Sequence, residues 1–268
     1  MLNETRIDNP PPPEGPKPPE GLKSTEPYQS DRGRALAVTV CLLVYVGVTV
    51  LSIVAASLAG YLPGSDVIGA ESGEEALTLH DLVMGLVALV TLAVYVPTVV
   101  FFCMWVHRAY KNLPALGNPP KYLNYSPRWA VGSFFIPLAS LVLPYIIVKE
   151  IWDRSDPSVR TEDDLIFTPT GGSPLLLVWW IVWVVSNVLS NIAYRLDAES
   201  APASTQGMLT GLAIFSDIVN IVAAVLCIFV VRAVTARQEE RSRHVTYVAQ
   251  GPPPPPVFSS PAAPQPQP

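Results

Sequence analysis

Residues 129–148 read WAVGSFFIPLASLVLPYIIV, twenty residues without an Asp, Glu, Lys or Arg. About 20 apolar residues suffice for a helix to cross the hydrocarbon core of a bilayer. This run, however, carries Pro137 and Pro144. Proline supplies no amide donor and clashes with the preceding helical turn, so it breaks or kinks a helix. Trp129 and Trp152 flank the run, and amphipathic indoles favour the membrane–water interface. Both reach the same interface if the chain dips in and returns. The alternative is an ordinary span with a proline kink.

The basic residues bear on that choice. Four other long stretches lack charge almost entirely: 35–65, 82–107, 165–194, and 200–231, which is interrupted only by Asp217. Loops on the cytoplasmic side carry the excess of Lys and Arg. If 129–148 crosses the membrane, seven of the 17 basic residues fall outside; if it re-enters, 16 of the 17 are cytoplasmic. The re-entrant arrangement fits the charge rule better. Such backbone at membrane depth has to be covered by protein or line a wet cavity.

The reading is thus an all-α integral membrane protein with four transmembrane helices, near 35–60, 79–107, 174–195 and 208–233. A proline-containing re-entrant or half-buried segment near 129–148 completes the membrane domain, 34–237. Both termini are expected in the cytoplasm. Of 29 prolines, eight lie in residues 1–30 and nine in 252–268. The stretches NPPPPEGPKPPE (9–20) and GPPPPPVFSSPAAPQPQP (251–268) favour extended polyproline II or disorder. Residues 1–33 and 238–268 are therefore expected to be disordered proline-rich tails. They are either solvated ends or docking strands for an aromatic-lined groove in a cytoplasmic protein. The polar residues before the first apolar run make it an uncleaved anchor rather than a signal peptide.

Five apolar runs in one chain exclude a soluble enzyme, a secreted disulfide scaffold and a nucleic-acid binder. Cys41, Cys103 and Cys227 all lie within apolar runs and read as small buried side chains. There is no CxxC or Cys/His cluster. HExxH, GxSxG and Walker patterns are also missing. No catalytic residue, cofactor or metal ligand is expected, and the chain does not read as an enzyme.

Two groups of polar residues stand out. Asp217 is the only acid well inside a span, and ionisable groups there are costly and usually face the bundle interior. Asn220 lies three positions on, so the two share a helix face. Asn187 and Asn191 on the preceding span are expected at similar depth. The four form a candidate patch for a proton, an ion or a polar head group. The plainer alternative is interhelical hydrogen bonding that holds the bundle together. Gly207 and Gly211 add one GxxxG at the start of the last span.

The second group begins at the end of the second span. Trp105, Arg108, Asn112, Leu116 and Gly117 give W-x-x-R-x-x-x-N-x-x-x-L-G. Ser126-Pro127-Arg128-Trp129 follows, then Phe135-Ile136-Pro137, Pro144-Tyr145 and Glu150-Ile151-Trp152. Trp105, Arg108, Asn112, Pro137, Pro144, Glu150 and Trp152 are the candidate motif residues. If the segment returns to its starting face, Glu150 becomes a plausible partner for Arg108. Alternatively Arg108, Lys111, Lys121 and Arg128 contact anionic lipid head groups, or serve only as topological charge.

This ordered set resembles the bacterial multi-pass membrane family known as domain of unknown function 4328, over roughly residues 80–240. The resemblance implies a bacterial cytoplasmic membrane protein and no established activity. The chain departs from the family pattern at Ser133, where an aromatic is expected, and at Ser140–Leu143. The expected function is that of a structural or interaction protein in contact with the lipid bilayer. It would present its proline-rich tails and basic loop to cytoplasmic partners or lipids. The alternative is a small transporter, channel or sensor subunit built on the patch around Asp217.

Overall fold

The computed structural model describes residues 27–59, 79–158, 173–196 and 203–250. Most of the proline-rich stretches, 1–26 and 251–268, lie outside the described residues. The described residues are helical, apart from turns and short irregular links. Among the described residues six α-helices follow one another: α1 (Arg32–Ala59), α2 (Leu79–Lys111), α3 (Pro127–Gly132), α4 (Leu143–Arg154), α5 (Pro174–Arg195) and α6 (Ala203–Gln250). Four of them, α1, α2, α5 and α6, are long and apolar enough to cross a membrane.

α1 packs on α2 and α6, and α6 packs on α5. The N-terminus of α1, the C-terminus of α2 and the far part of α6 meet at one end, here called the loop end. The Asn112 amide donates to the Gln29 carbonyl at 2.9 Å. The Tyr28 hydroxyl donates to Glu239 at 3.3 Å, and Ser30 donates to the same carboxylate. These contacts place the described N-terminal segment and the far part of α6 at the same end of the four long helices.

The run that decided the reading forms a hairpin. α3 begins on Pro127, whose missing amide costs nothing at a first helical position. The Ser126 hydroxyl caps it, accepting the Trp129 amide at 3.2 Å. α3 is only 6 residues long. Beyond it the chain breaks at Pro137 and Leu138, where Leu138 takes φ 64°, a conformation unusual for a side chain of this bulk. α4 restarts with Pro144 in its first turn and runs for 12 residues, a rise of about 18 Å. That is well short of the roughly 30 Å hydrocarbon core. The two ends of the hairpin meet, because the Asn124 amide donates to Glu150 at 3.0 Å. The segment returns to the end it left.

The hairpin is held to the bundle by aromatic rings. Phe134 meets Phe102 edge-on at 5.6 Å, and Tyr145 lies 6.3 Å from Trp180. Its tip points away from the protein: Phe135 is 65% and Leu138 81% exposed. In a bilayer those side chains meet lipid.

The last helix departs from the sequence reading. It runs 48 residues, about 72 Å, more than twice the hydrocarbon thickness. Residues 238–250, assigned from sequence to the disordered tail, continue the helix. The cause is tertiary, because Gln238 and Arg241 are buried against the loop end.

Candidate functional site

The loop end assembles most of the motif residues into one buried polar lock. Glu150 is its hub. Its carboxylate accepts the Tyr110 hydroxyl at 2.9 Å and both the backbone and side-chain amides of Asn124 at 3.0 Å. Tyr110 in turn accepts the Tyr125 amide at 2.9 Å. Asn118 donates to the carbonyls of Leu113 and Arg154, each at 2.9 Å. Gly117, at φ 83°, makes the left-handed turn that delivers Asn118 to that position.

α6 closes the lock from the other side. Trp105 Nε1 donates to Thr235 at 3.1 Å. Gln238 donates to the Ala109 carbonyl at 2.9 Å and to Ser155 at 3.2 Å. Arg241 Nε donates to the Leu116 carbonyl at 2.7 Å, and its Nη1 donates to the Asp156 carbonyl. Arg237 stacks 4.2 Å over Trp152 and bridges Asp156 at 2.7 Å. Trp152 thus serves the lock rather than a free membrane interface. Burial works against the Asp156 carboxylate, but the hydroxyl and amide of Ser158 and the Arg237 charge outweigh it and hold its pKa below the usual range.

The structure separates the expected Arg108–Glu150 pair. Tyr110 and Asn124 take up Glu150, and Arg108 turns toward the N-terminal segment. There its charge bears on Asp31. Asp31 is buried, accepts Arg34 at 3.1 Å through Oδ1, and leaves Oδ2 without a partner among the described residues. Burial raises its pKa to about 6, against the opposing pull of Arg34 and Arg108. Of the two prolines, Pro144 is buried within α4's first turn and Pro137 lies exposed at the hairpin tip.

The four intramembrane candidates are not brought together. Asn220 donates to Ser190 at 3.0 Å, and Ser190 shares a 3.0 Å hydrogen bond with Ser216. Ser190 and Ser216, which the sequence reading passed over, therefore join α5 to α6. Asn187 is exposed and donates to the Trp183 carbonyl of its own helix. Asn191 is exposed and accepts Arg195 at 2.7 Å. Asp217 is half-buried on the side of α6 that faces Tyr45 of α1. A Cβ added at Gly207 or Gly211 meets no atom within 4 Å, so the GxxxG packs against no described residue of this chain.

The family model described as Domain of unknown function (DUF4328) matches residues 69–236. The chain belongs to this family. The DUF4328 match contains every motif residue from Trp105 to Trp152 and the Ser190–Ser216–Asn220 junction. Gln238 and Arg241, which complete the lock, lie just beyond it. Comparison with curated proteins and with solved structures finds no match.

Proposed function

We propose that this DUF4328 protein is an interaction platform of the bacterial cytoplasmic membrane, with its loop end facing the cytoplasm. The observation that carries the reading is the continuation of α6 past the span into a rigid lock with α4 and the 112–126 loop. Gln238 and Arg241 are nearly fully buried there, which is unusual for such side chains unless they are paired. Glu239 on the same extension takes Tyr28, Ser30 and Arg32 from the N-terminal segment. The lock thus joins the described N-terminal segment, 28–32, to the extension of α6, which supports offering the proline-rich stretches on both sides to one cytoplasmic partner. Two such segments issuing from one rigid base raise the effective concentration of the second once the first has bound.

The test is in vivo cross-linking of the full chain against a chain ending at Gln250. Loss of a specific cross-linked partner on truncation is the expected result. An identical partner set from both chains contradicts the platform reading.

A second reading, a transporter, channel or sensor subunit, has one observation behind it: Asp217 makes no hydrogen bond or ion pair among the described residues. It predicts that Asp217→Asn alters ion or solute flux in vesicles. Unchanged flux ends that reading.

A further inference from the structure

Beside the lock, on the face formed by α1, α2 and α3, lies an open groove of about 540 Å³. Arg34, Arg108, Lys111 and Arg128 line it, together with the apolar Met104 and Val131. The four cations also surround His107 closely enough to act on it. They come from three different helices, so the fold, not local sequence, brings them together.

That gathering is unfavourable unless something opposes it. Lys111 and Arg108 lie in the last turn of α2, where a helix dipole favours cations. Arg34 lies in the first turn of α1, where the dipole opposes one. Asp31, a carboxylate beside them, bonds Arg34 and acts on Arg108 only through its charge. Arg108 is the most buried of the four, at 7% exposure, and its Nε has no partner among the described residues. A buried guanidinium with an unmet donor is expensive, and its fork of donors matches a phosphate.

The groove is also graded. Cys103 and Met104 lie a turn deeper in the span than Arg108 and Lys111, so one end is apolar and the other cationic. An anionic phospholipid has that polarity: acyl chains beside a phosphodiester, with the head group at the depth where helices leave the hydrocarbon.

We infer that this groove is a binding site for the phosphate head group of an anionic lipid, with Arg108 as its buried anchor and Arg34 and Arg128 as flanking contacts. The inference rests on the platform reading only in placing the loop end at a head-group surface. It sharpens the looser expectation of a basic loop over lipid. Arg34 joins the site from the first helix, and Lys121 leaves it, lying 4.6 Å over the Tyr122 ring instead.

The test uses the purified full chain in non-ionic detergent, with bound lipid counted by native mass spectrometry. Phosphatidylglycerol, phosphatidylcholine and inorganic phosphate are titrated separately. Phosphatidylglycerol is expected to bind at least 5-fold more tightly than phosphatidylcholine, about what one well-placed cation supplies. Arg108→Gln and Arg128→Gln should each weaken it about 5-fold, and Lys121→Gln less than 2-fold. Arg128 is exposed, so its variant remains informative if Arg108→Gln fails to fold. Equal binding of the two lipids, or an equal loss from Lys121→Gln, overturns the site. Tight binding of inorganic phosphate alone, displacing phosphatidylglycerol, assigns the groove to a soluble phosphate and overturns the lipid. The chain ending at Gln250 is titrated alongside and should bind lipid as the full chain does. A failed groove with truncation-sensitive partners leaves the platform standing, and the converse leaves the groove standing.

Discussion

The two halves of this bundle are built by different rules. At the loop end, Trp105, Tyr110, Ile147, Ile151, Val230 and Val234 are all but fully buried, and the polar groups among them are densely paired. This resembles the interior of a water-soluble domain in its close packing and in the number of paired polar groups, although Asp31 Oδ2, Arg108 Nε, Asn118 Oδ1 and Gln238 Oε1 are left without a partner among the described residues. In the opposite half, α2 turns Leu86, Leu89 and Leu92 outward. Its apolar side chains meet lipid, which offers no hydrophobic drive for helices to associate. What joins α5 to α6 there is a few hydroxyl and amide contacts around Ser190. Specificity of the fold is therefore concentrated at the loop end, while the other half adds only this small polar junction to length and hydropathy.

That contrast breaks first at Trp105. Trp105→Ala should cost about 4 kcal/mol, from the lost packing and cavity, while Leu89→Ala, 64% exposed, should cost less than about 0.5 kcal/mol. Thermal or denaturant unfolding of the purified protein measures both; equal effects would erase the distinction. Glu150→Ala follows, at about 3 kcal/mol, because it leaves the buried Tyr110 hydroxyl without its acceptor and frees the Asn124 amides that close the hairpin.

Asp31 gives the loop end a pH dependence. Its unfolded carboxyl titrates near 3.9, and in the fold near 6. The folded state favours the protonated form, so this contribution is complete below about pH 4 and is lost as pH rises through about 6. The swing is on the order of 3 kcal/mol, and Asp31→Asn should flatten the stability profile across that window. A small effect also belongs to the polar junction of the lipid half: Ser190→Ala should cost only about 0.6 kcal/mol.

Hydropathy and basic charge made the four spans and the returning hairpin legible, because both signals are properties of the chain alone. The proline pair marked where the run would break, and Pro137 does sit at the turn. Hidden from sequence were the facts that depend on how helices rotate against one another. Ser190 rather than Asn187 faces α6, since the helix phase is fixed by neighbours. Gln238 and Arg241 looked like the start of a solvated tail, and only their backbone acceptors on α2 and the 112–126 loop show why the helix continues. Glu150 was placed at the right end of the molecule, but the side chains that reach it first, Tyr110 and Asn124, intercept the expected pair with Arg108.

The hairpin's return is the claim on which the rest depends, and cysteine accessibility tests it most directly. Cys41, Cys103 and Cys227 are first replaced by alanine, and single cysteines are placed at Ser158, Arg243 and Leu196. The first two positions are exposed at the loop end and the third at the opposite end. A membrane-impermeant thiol reagent added to intact cells should label only Leu196→Cys, with Ser158→Cys and Arg243→Cys reacting after permeabilisation. Labelling of Ser158→Cys from outside, while a cysteine at exposed Lys111 just before the hairpin stays protected, would mean that residues 129–148 cross the membrane.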